Sequence, residues 1–161
     1  MKNWMMIAPV ILMAACGSDS EYHRSLNVDL NGTWISNCHE FIDSETNERI
    51  AYSIDSYTFL GGEFSQTSVS YEDHTCRTET GAEDNWYGTY SLGAAVLATD
   101  GLEVNRITLD ITSDEWLGEP QHYVLEAVFR ITGDQLNWGA YSEAETPDLV
   151  SSITYTKVLP N

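Results

Sequence analysis

The sequence predicts an all-β fold, an antiparallel up-and-down barrel of eight or nine short strands. Three observations carry that prediction. Apolar and polar residues alternate with period two in short segments along most of the chain. Glycine-containing or acidic turns separate these segments at hairpin spacing. Tyrosine, tryptophan, threonine, valine and isoleucine are plentiful, whereas lysine and long helix-forming runs are scarce. Sequential hairpins favour an up-and-down path, and closing the sheet removes exposed edges. With eight strands, the interior is just wide enough for side chains or one small ligand.

The series opens with GTWISNCHE (Gly32–Glu40), where Trp34, Ser36 and Cys38 alternate. RIAYSIDSYTF (Arg49–Phe59) alternates Ile50, Tyr52 and Ile54 before reaching Tyr57 and Phe59. Gly61-Gly62 supplies a hairpin turn tolerant of positive φ. EFSQTSVSYED (Glu63–Asp73) returns, HTCRTET follows a break at Glu72-Asp73, and the predicted turn GAEDN leads into Trp86–Leu92. AAVLATD (Ala94–Asp100) hints at a short helix. LEVNRITLDIT (Leu102–Thr112) puts Ile107, Leu109 and Ile111 on one face, with Arg106, Thr108 and Asp110 on the other. After SDEWLGEP, HYVLEAVFRI groups Tyr123, Leu125, Ala127, Phe129 and Ile131. Thr132–Asp134 turns the chain into QLNWGAY, a predicted loop SEAETPD follows, and Ser152–Leu159 is the last strand.

Before this body, Lys2 is followed by an apolar run from Trp4 to Ala15. Twelve helical residues would cover only ~18 Å of a ~30 Å hydrocarbon core, so a secretory signal peptide is the better reading than a spanning helix. The tetrapeptide MAAC (Met13–Cys16) resembles the lipobox of bacterial lipoproteins, with Met13 where leucine is more usual. The resemblance implies cleavage before Cys16 and acylation of Cys16. Glycine, not aspartate, follows the cysteine, which implies export to the outer membrane, facing the periplasm. The expected organisation is a signal peptide over 1–15, a polar tether over 16–28 and a barrel domain over 29–161.

Cleavage there removes Lys2 and no acid, leaving 25 acidic residues against six basic ones. Such a body has no basic patch for phosphates, which excludes nucleic acid and leaves the lipid as its contact with the membrane. An acidic surface suits solubility and repels acidic ligands. With Cys16 committed to lipid, Cys38 and Cys76 remain, and the oxidising compartment favours a disulfide between them. Zinc held by Cys38, His39, His74 and Cys76 is the competing arrangement. Neither Cys–His pair has the usual spacing, and no metal or cofactor is predicted.

LNGTW at the first strand resembles the Gly-x-Trp start of the lipocalin superfamily, here Gly32-Thr33-Trp34. In that family the tryptophan packs across the closed end of the barrel. A convincing C-terminal helix and the family's later loop signatures are missing. Most of the remaining body resembles small bacterial lipoproteins with a G-T-W start, a nearby cysteine, Y-x-D-x-x-C and G-T-Y. The matching pieces are Cys38, Tyr71–Cys76 and Gly88–Tyr90, followed by GDQLNWG (Gly133–Gly139). These likenesses imply a lipocalin-like barrel and no reaction.

Candidate chemistry is thin. The acidic turns lack a calcium-loop pattern, and adjacent acids such as Asp114 and Glu115 suit a solvated surface as well as glycoside hydrolysis. There is no G-x-S-x-G, and His122 reads as a rim or outer-face residue. The expectation is a protein without catalytic residues. Trp34, Tyr52, Phe59, Trp86, Tyr90, Tyr123, Phe129 and Trp138, with Tyr57 beside them, are too many rings for a thin surface. They either line a cavity for a small apolar ligand or fill a closed core, in which case the outer face would meet another envelope protein.

Overall fold

The computed structural model describes residues 28–42, 46, 48–114, 122–142, 145–148 and 153–159. The signal segment, Cys16 and all of the tether but Val28 lie outside the described residues, as does most of SDEWLGEP. Ten strands are formed among the described residues: β1 (Gly32–Ser36), β2 (His39–Ile42), β3 (Arg49–Leu60), β4 (Glu63–Tyr71), β5 (Glu79–Leu97), β6 (Glu103–Asp114), β7 (Tyr123–Thr132), β8 (Gln135–Ser142), β9 (Glu145–Asp148) and β10 (Thr154–Val158).

Eight of them close an antiparallel barrel in the order β1-β3-β4-β5-β6-β7-β8-β10, with β10 returning to β1. The fold is thus the predicted all-β up-and-down barrel. Strands β2 and β9 extend it. The predicted first strand breaks at Asn37-Cys38, so β1 and β2 lie end to end along β3. Likewise β9 and β10 share one edge of β8. The seam between β1 and β10 is laddered only from Thr33–Val158 to Ser36–Tyr155, and among the described residues no ladder joins β2 to β9.

Alternation decides what enters the barrel. From β6, Ile107, Leu109 and Ile111 point inward, and from β7 Phe129 does, all at most 3 % exposed. Leu30, Trp34, Phe59, Phe64 and Leu136 join them in one cluster. Trp34 Nε1 donates to Leu30 O at 2.9 Å, tying the entering chain across the end that holds the β3–β4, β5–β6 and β7–β8 turns. Lys157 Nζ lies 5.2 Å from the centre of the Trp34 ring and covers this floor. The Gly-x-Trp tryptophan thus packs across this end of the barrel.

Several predicted elements are corrected. Ala94–Asp100 is not helical: Ala95–Leu97 pairs with Glu103–Asn105 and continues β5 beyond a bulge. A partner strand is at hand across a tight turn, where Ala98 N donates to Leu102 O, and the ladder outweighs the weak helical preference of so short a run. The predicted turn at Gly81–Asn85 lies within β5, where a shift of register against β4 absorbs the residues around Gly81. Chain reversal happens earlier, at 72–78. There the Asp73 carboxylate accepts from the Thr75, Arg77 and Thr78 amides and from the Thr75 hydroxyl. HTCRTET is thus mostly loop. SEAETPD, predicted as loop, contains β9.

A second small cluster, Val96, Ala98, Val104 and Val128, gathers where the β5–β6 tip approaches β7. Thr99 N donates to Pro147 O of β9 at 3.0 Å, and Arg130 of β7 holds Asp100 in the turn.

Candidate functional site

Strand β3 organises the interior. Phe59 is fully buried and Ser53 is 1 % exposed, so the odd-numbered residues Ala51, Ser53, Asp55, Tyr57 and Phe59 face inward. Ile50, Tyr52 and Ile54, which alternate so clearly in sequence, take the other face. The inward row changes character along its length. Phe59 belongs to the floor, where it meets Phe64 at 6.2 Å and Tyr90 edge-on at 5.1 Å between ring centres. Tyr57 forms the next layer, 5.4 Å from Trp138 and 5.5 Å from Tyr155. Asp55 and Ser53 make a polar layer toward the opposite end, where the β4–β5 loop lies.

Asp55 is the centre of that layer. Its Oδ1 accepts from Ser53 at 2.7 Å and Ser68 at 2.6 Å, and its Oδ2 accepts from the Tyr155 hydroxyl at 3.3 Å. His39, directly opposite Ser53 in the β2–β3 ladder, places Nε2 3.3 Å from Asp55 Oδ2. Its Nδ1 donates to Asn37 O at 3.1 Å. Ser36 Oγ accepts from the Asp55 amide at 2.8 Å. Burial alone would raise the Asp55 carboxyl, but hydrogen bonds from His39, Ser68 and Ser53 outweigh it and hold the group below its usual range. Burial likewise works against charge on His39, and the bonds to Asp55 and Asn37 leave its pKa above the ordinary imidazole value. Burial pushes the Tyr57 and Tyr155 phenols well upward, reinforced by Asp55 at Tyr57 and by Tyr57 and then Asp55 at Tyr155, so Tyr155 remains a donor.

Serine, histidine and aspartate meet here without forming a hydrolytic relay. In such a relay the carboxylate and the nucleophile engage opposite nitrogens of the imidazole. Here Asp55 and Ser53 both approach Nε2, Nδ1 is taken by a backbone carbonyl, and the Ser53 proton points at the carboxylate. The arrangement holds a partly buried ion pair and leaves no activated hydroxyl.

Seven of the eight candidate rings lie on the inward face. Trp34, Phe59 and Phe129 are fully buried in the floor, with Tyr90 against them. Trp86, Tyr123 and Trp138 pack above the floor and, like Tyr57, are only half-buried although their side chains face inward. Leu125, inward on β7 opposite Leu109, is 41 % exposed. Solvent therefore reaches part of the inner wall above the floor, and the barrel is open there as a shallow cup. Tyr52 is elsewhere: on the outer face, under the Arg49 guanidinium at 4.9 Å and against the His74 ring at 6.2 Å.

Cys38 and Cys76 form the predicted disulfide, fastening the β1–β2 break to the β4–β5 loop. Their sulfurs are thereby committed to each other, and His39 and His74 face different surroundings. His122 is exposed and pairs with Asp110 at 2.6 Å.

Sequence reading considered His39 as a zinc ligand rather than as a partner of Asp55, and passed over Ser53, Asp55, Gln66, Ser68 and Tyr155. The signal was the row Ser53, Asp55, Tyr57, Phe59, which places an acid in register with two rings on an inward-facing strand. Gln66 of β4, opposite Tyr57 on β3 and Trp86 on β5, is 5 % exposed, and its Oε1 meets no donor among the described residues. Trp138 Nε1 is also buried and meets no acceptor among them.

The outer wall carries a separate open depression of about 500 Å³, bordered by Thr58, Leu60, Ser65, Tyr87 and Thr89, among others. Compared with known protein families, curated proteins and solved structures, the chain matches none.

Proposed function

We propose that this protein is a non-catalytic, lipid-anchored component of a bacterial cell envelope whose barrel takes a small ligand with an apolar body. Cys16 is the attachment point, and the acidic barrel stands off the membrane on its tether. The observation that carries the ligand reading is the contrast along the barrel axis. A sealed aromatic floor is followed by half-buried, inward-facing Tyr57, Trp86, Tyr123 and Trp138. Rings with one polar atom each can orient a ligand while burying its apolar surface. The absence of an activated serine in the Asp55 layer favours binding over turnover.

Titration with the neutral fluorescent probe N-phenyl-1-naphthylamine tests the cup. A saturable rise in emission, reduced in Trp86→Ala and Trp138→Ala, is expected, and a linear, unsaturable response removes the reading. Incorporation of labelled palmitate into the full chain, lost in Cys16→Ser, tests the anchor. An unlabelled chain with its mature N-terminus elsewhere than Cys16 overturns it.

A second reading rests on the outer depression. Leu60 is 72 % exposed and Tyr87 42 % exposed on its border, so this wall could serve a protein partner in an envelope complex. Crosslinking from Tyr87 to an envelope protein, without probe binding in the cup, would favour it.

A further inference from the structure

We propose that the cup selects small organic ammonium ions carrying an aromatic or apolar body; this rests on the ligand reading above and specifies its chemistry. The starting point is Gln66. Its carbonyl oxygen is buried on the inner wall and meets no donor among the described residues, a state that costs free energy until an N–H supplies the bond. Cross-strand register surrounds it with particular neighbours. Tyr57 lies opposite on one side and Trp86 on the other. Asp84, two residues before Trp86 and opposite Ser68, shares the inward face, and its Oδ2 accepts from Trp86 Nε1 at 3.0 Å. Diagonal neighbours on paired strands lie ~7–8 Å apart, so an ammonium group in the space between the two side chains would reach both Gln66 and Asp84.

The walls of that space are rings. Trp86 and Tyr123 meet edge to face at 6.3 Å between centres, and Tyr57 meets Trp138 at 5.4 Å. Their faces attract cations. A protonated amine offers several N–H donors in one compact group, enough for Gln66 Oε1 and the Asp84 carboxylate together, while its body rests on the rings. A carboxylate would meet two oxygen acceptors, one of them charged, and only neutral donors such as Trp138 Nε1 and the tyrosine hydroxyls. A neutral alcohol offers one donor and no charge.

The basic side chains described on the strands lie elsewhere. Arg106 and Arg130 are on outer faces, Arg49 covers Tyr52, and Lys157 covers Trp34 on the floor. Arg77 is exposed in the β4–β5 loop. His39 is matched by Asp55. An excess of 18 negative charges over the whole chain adds long-range attraction for a cation approaching the mouth.

The test compares three probes that share a phenyl body: 2-phenylethylamine, 2-phenylethanol and 3-phenylpropanoate. Each is titrated calorimetrically into the protein at neutral pH, with N-phenyl-1-naphthylamine displacement in parallel. The amine should bind roughly tenfold tighter than the alcohol, as one cation–π contact with a charge-assisted hydrogen bond allows, and the carboxylate should bind weakest. Gln66→Leu and Asp84→Asn should each bring the amine-to-alcohol ratio to within about twofold. If wild-type protein binds amine and alcohol equally while still taking up the naphthylamine, the ammonium preference is overturned and the cup stands. If the preference survives both substitutions, the assignment to Gln66 and Asp84 is overturned. If no probe binds, cup and preference fall together. The wild-type comparison decides the preference even where a variant does not fold.

Discussion

His39 Nε2 and Asp55 Oδ2 lie 3.3 Å apart between two strands that meet only past the break at Asn37-Cys38. The pair fastens β2, four residues long, to the polar end of the barrel interior. Its pH dependence has a definite sign. The raised pKa of His39 contributes stability that is complete below 6.5 and is lost as pH rises through the folded value. The lowered pKa of Asp55 contributes stability that is complete above 3.8 and is lost as pH falls through the folded value. The pair therefore stabilises most between these limits, falling away on both sides. Removing His39 leaves a mostly buried carboxylate with only hydroxyl partners, and His39→Leu should cost about 3 kcal/mol within that window. Urea denaturation of wild type and variant across the pH range checks this. A difference between them that does not shrink toward alkaline pH would show that the imidazole charge contributes nothing.

Gly88 makes a second prediction. A side chain there would drive its Cβ into the Asp110 carbonyl oxygen and place it 2.9 Å from Phe64 Cε1. The backbone oxygen belongs to the neighbouring β6 ladder, so relief requires moving a strand. Gly88→Ala should destabilise the barrel by about 3 kcal/mol, the upper part of the usual range for overpacking. A melting curve that overlays wild type would mean the β6 bulge beside Gly88 absorbs the methyl without strain.

How far the sequence could be read depends on which residues carry both parity and packing. In β6 and β7 the inward residues are also the apolar ones, so Ile107, Leu109, Ile111 and Phe129 announced their own orientation. In β3 the two signals separate. Ile50, Tyr52 and Ile54 look like the buried face, yet the single unbroken register set by Tyr57 and Phe59 turns them outward and brings Ser53 and Asp55 in. That inversion hid the Asp55 layer and misplaced Tyr52 among the interior rings. Period-two alternation says which residues share a face but not which face is inside, and a polar interior layer defeats the assumption that burial follows hydrophobicity. The turn at Gly81–Asn85 was misread for a different reason. Composition marked a glycine and two acids, while the actual reversal depends on one carboxylate, Asp73, collecting three amides.

Reduction of the Cys38–Cys76 disulfide should weaken the fold. The bond closes a separation of 38 residues, worth about 4 kcal/mol by loop-closure entropy. It also secures the break that follows β1, and Cys76 has a φ of 48°, a left-handed conformation that the loop holds. A lower urea midpoint in the presence of reductant, matched by the Cys38→Ser/Cys76→Ser double variant, is expected. Equal midpoints for oxidised and reduced protein would place the stability of β2 entirely in its ladder and the His39–Asp55 pair.

Arg130 and Asp100 supply a local prediction. The guanidinium donates to both carboxylate oxygens, at 2.9 and 3.0 Å, and through Nε to Glu103 O at 3.3 Å. These bonds, with the Leu102 amide, hold the Asp100 carboxyl below its ordinary value. Asp100 is exposed, so the pair acts on the β5–β6 tip more than on global stability. Arg130→Gln should speed hydrogen exchange at the Ala98 and Gly101 amides, both bonded within the turn, while amides in the middle of β6 keep their protection. Acidification should open the wild-type tip in the same way as Asp100 protonates below 3.8, the value from which its pKa is lowered. Unchanged exchange at both amides in the variant would show that the Thr99–Pro147 bond and the Val104–Val128 cluster hold the tip without the ion pair.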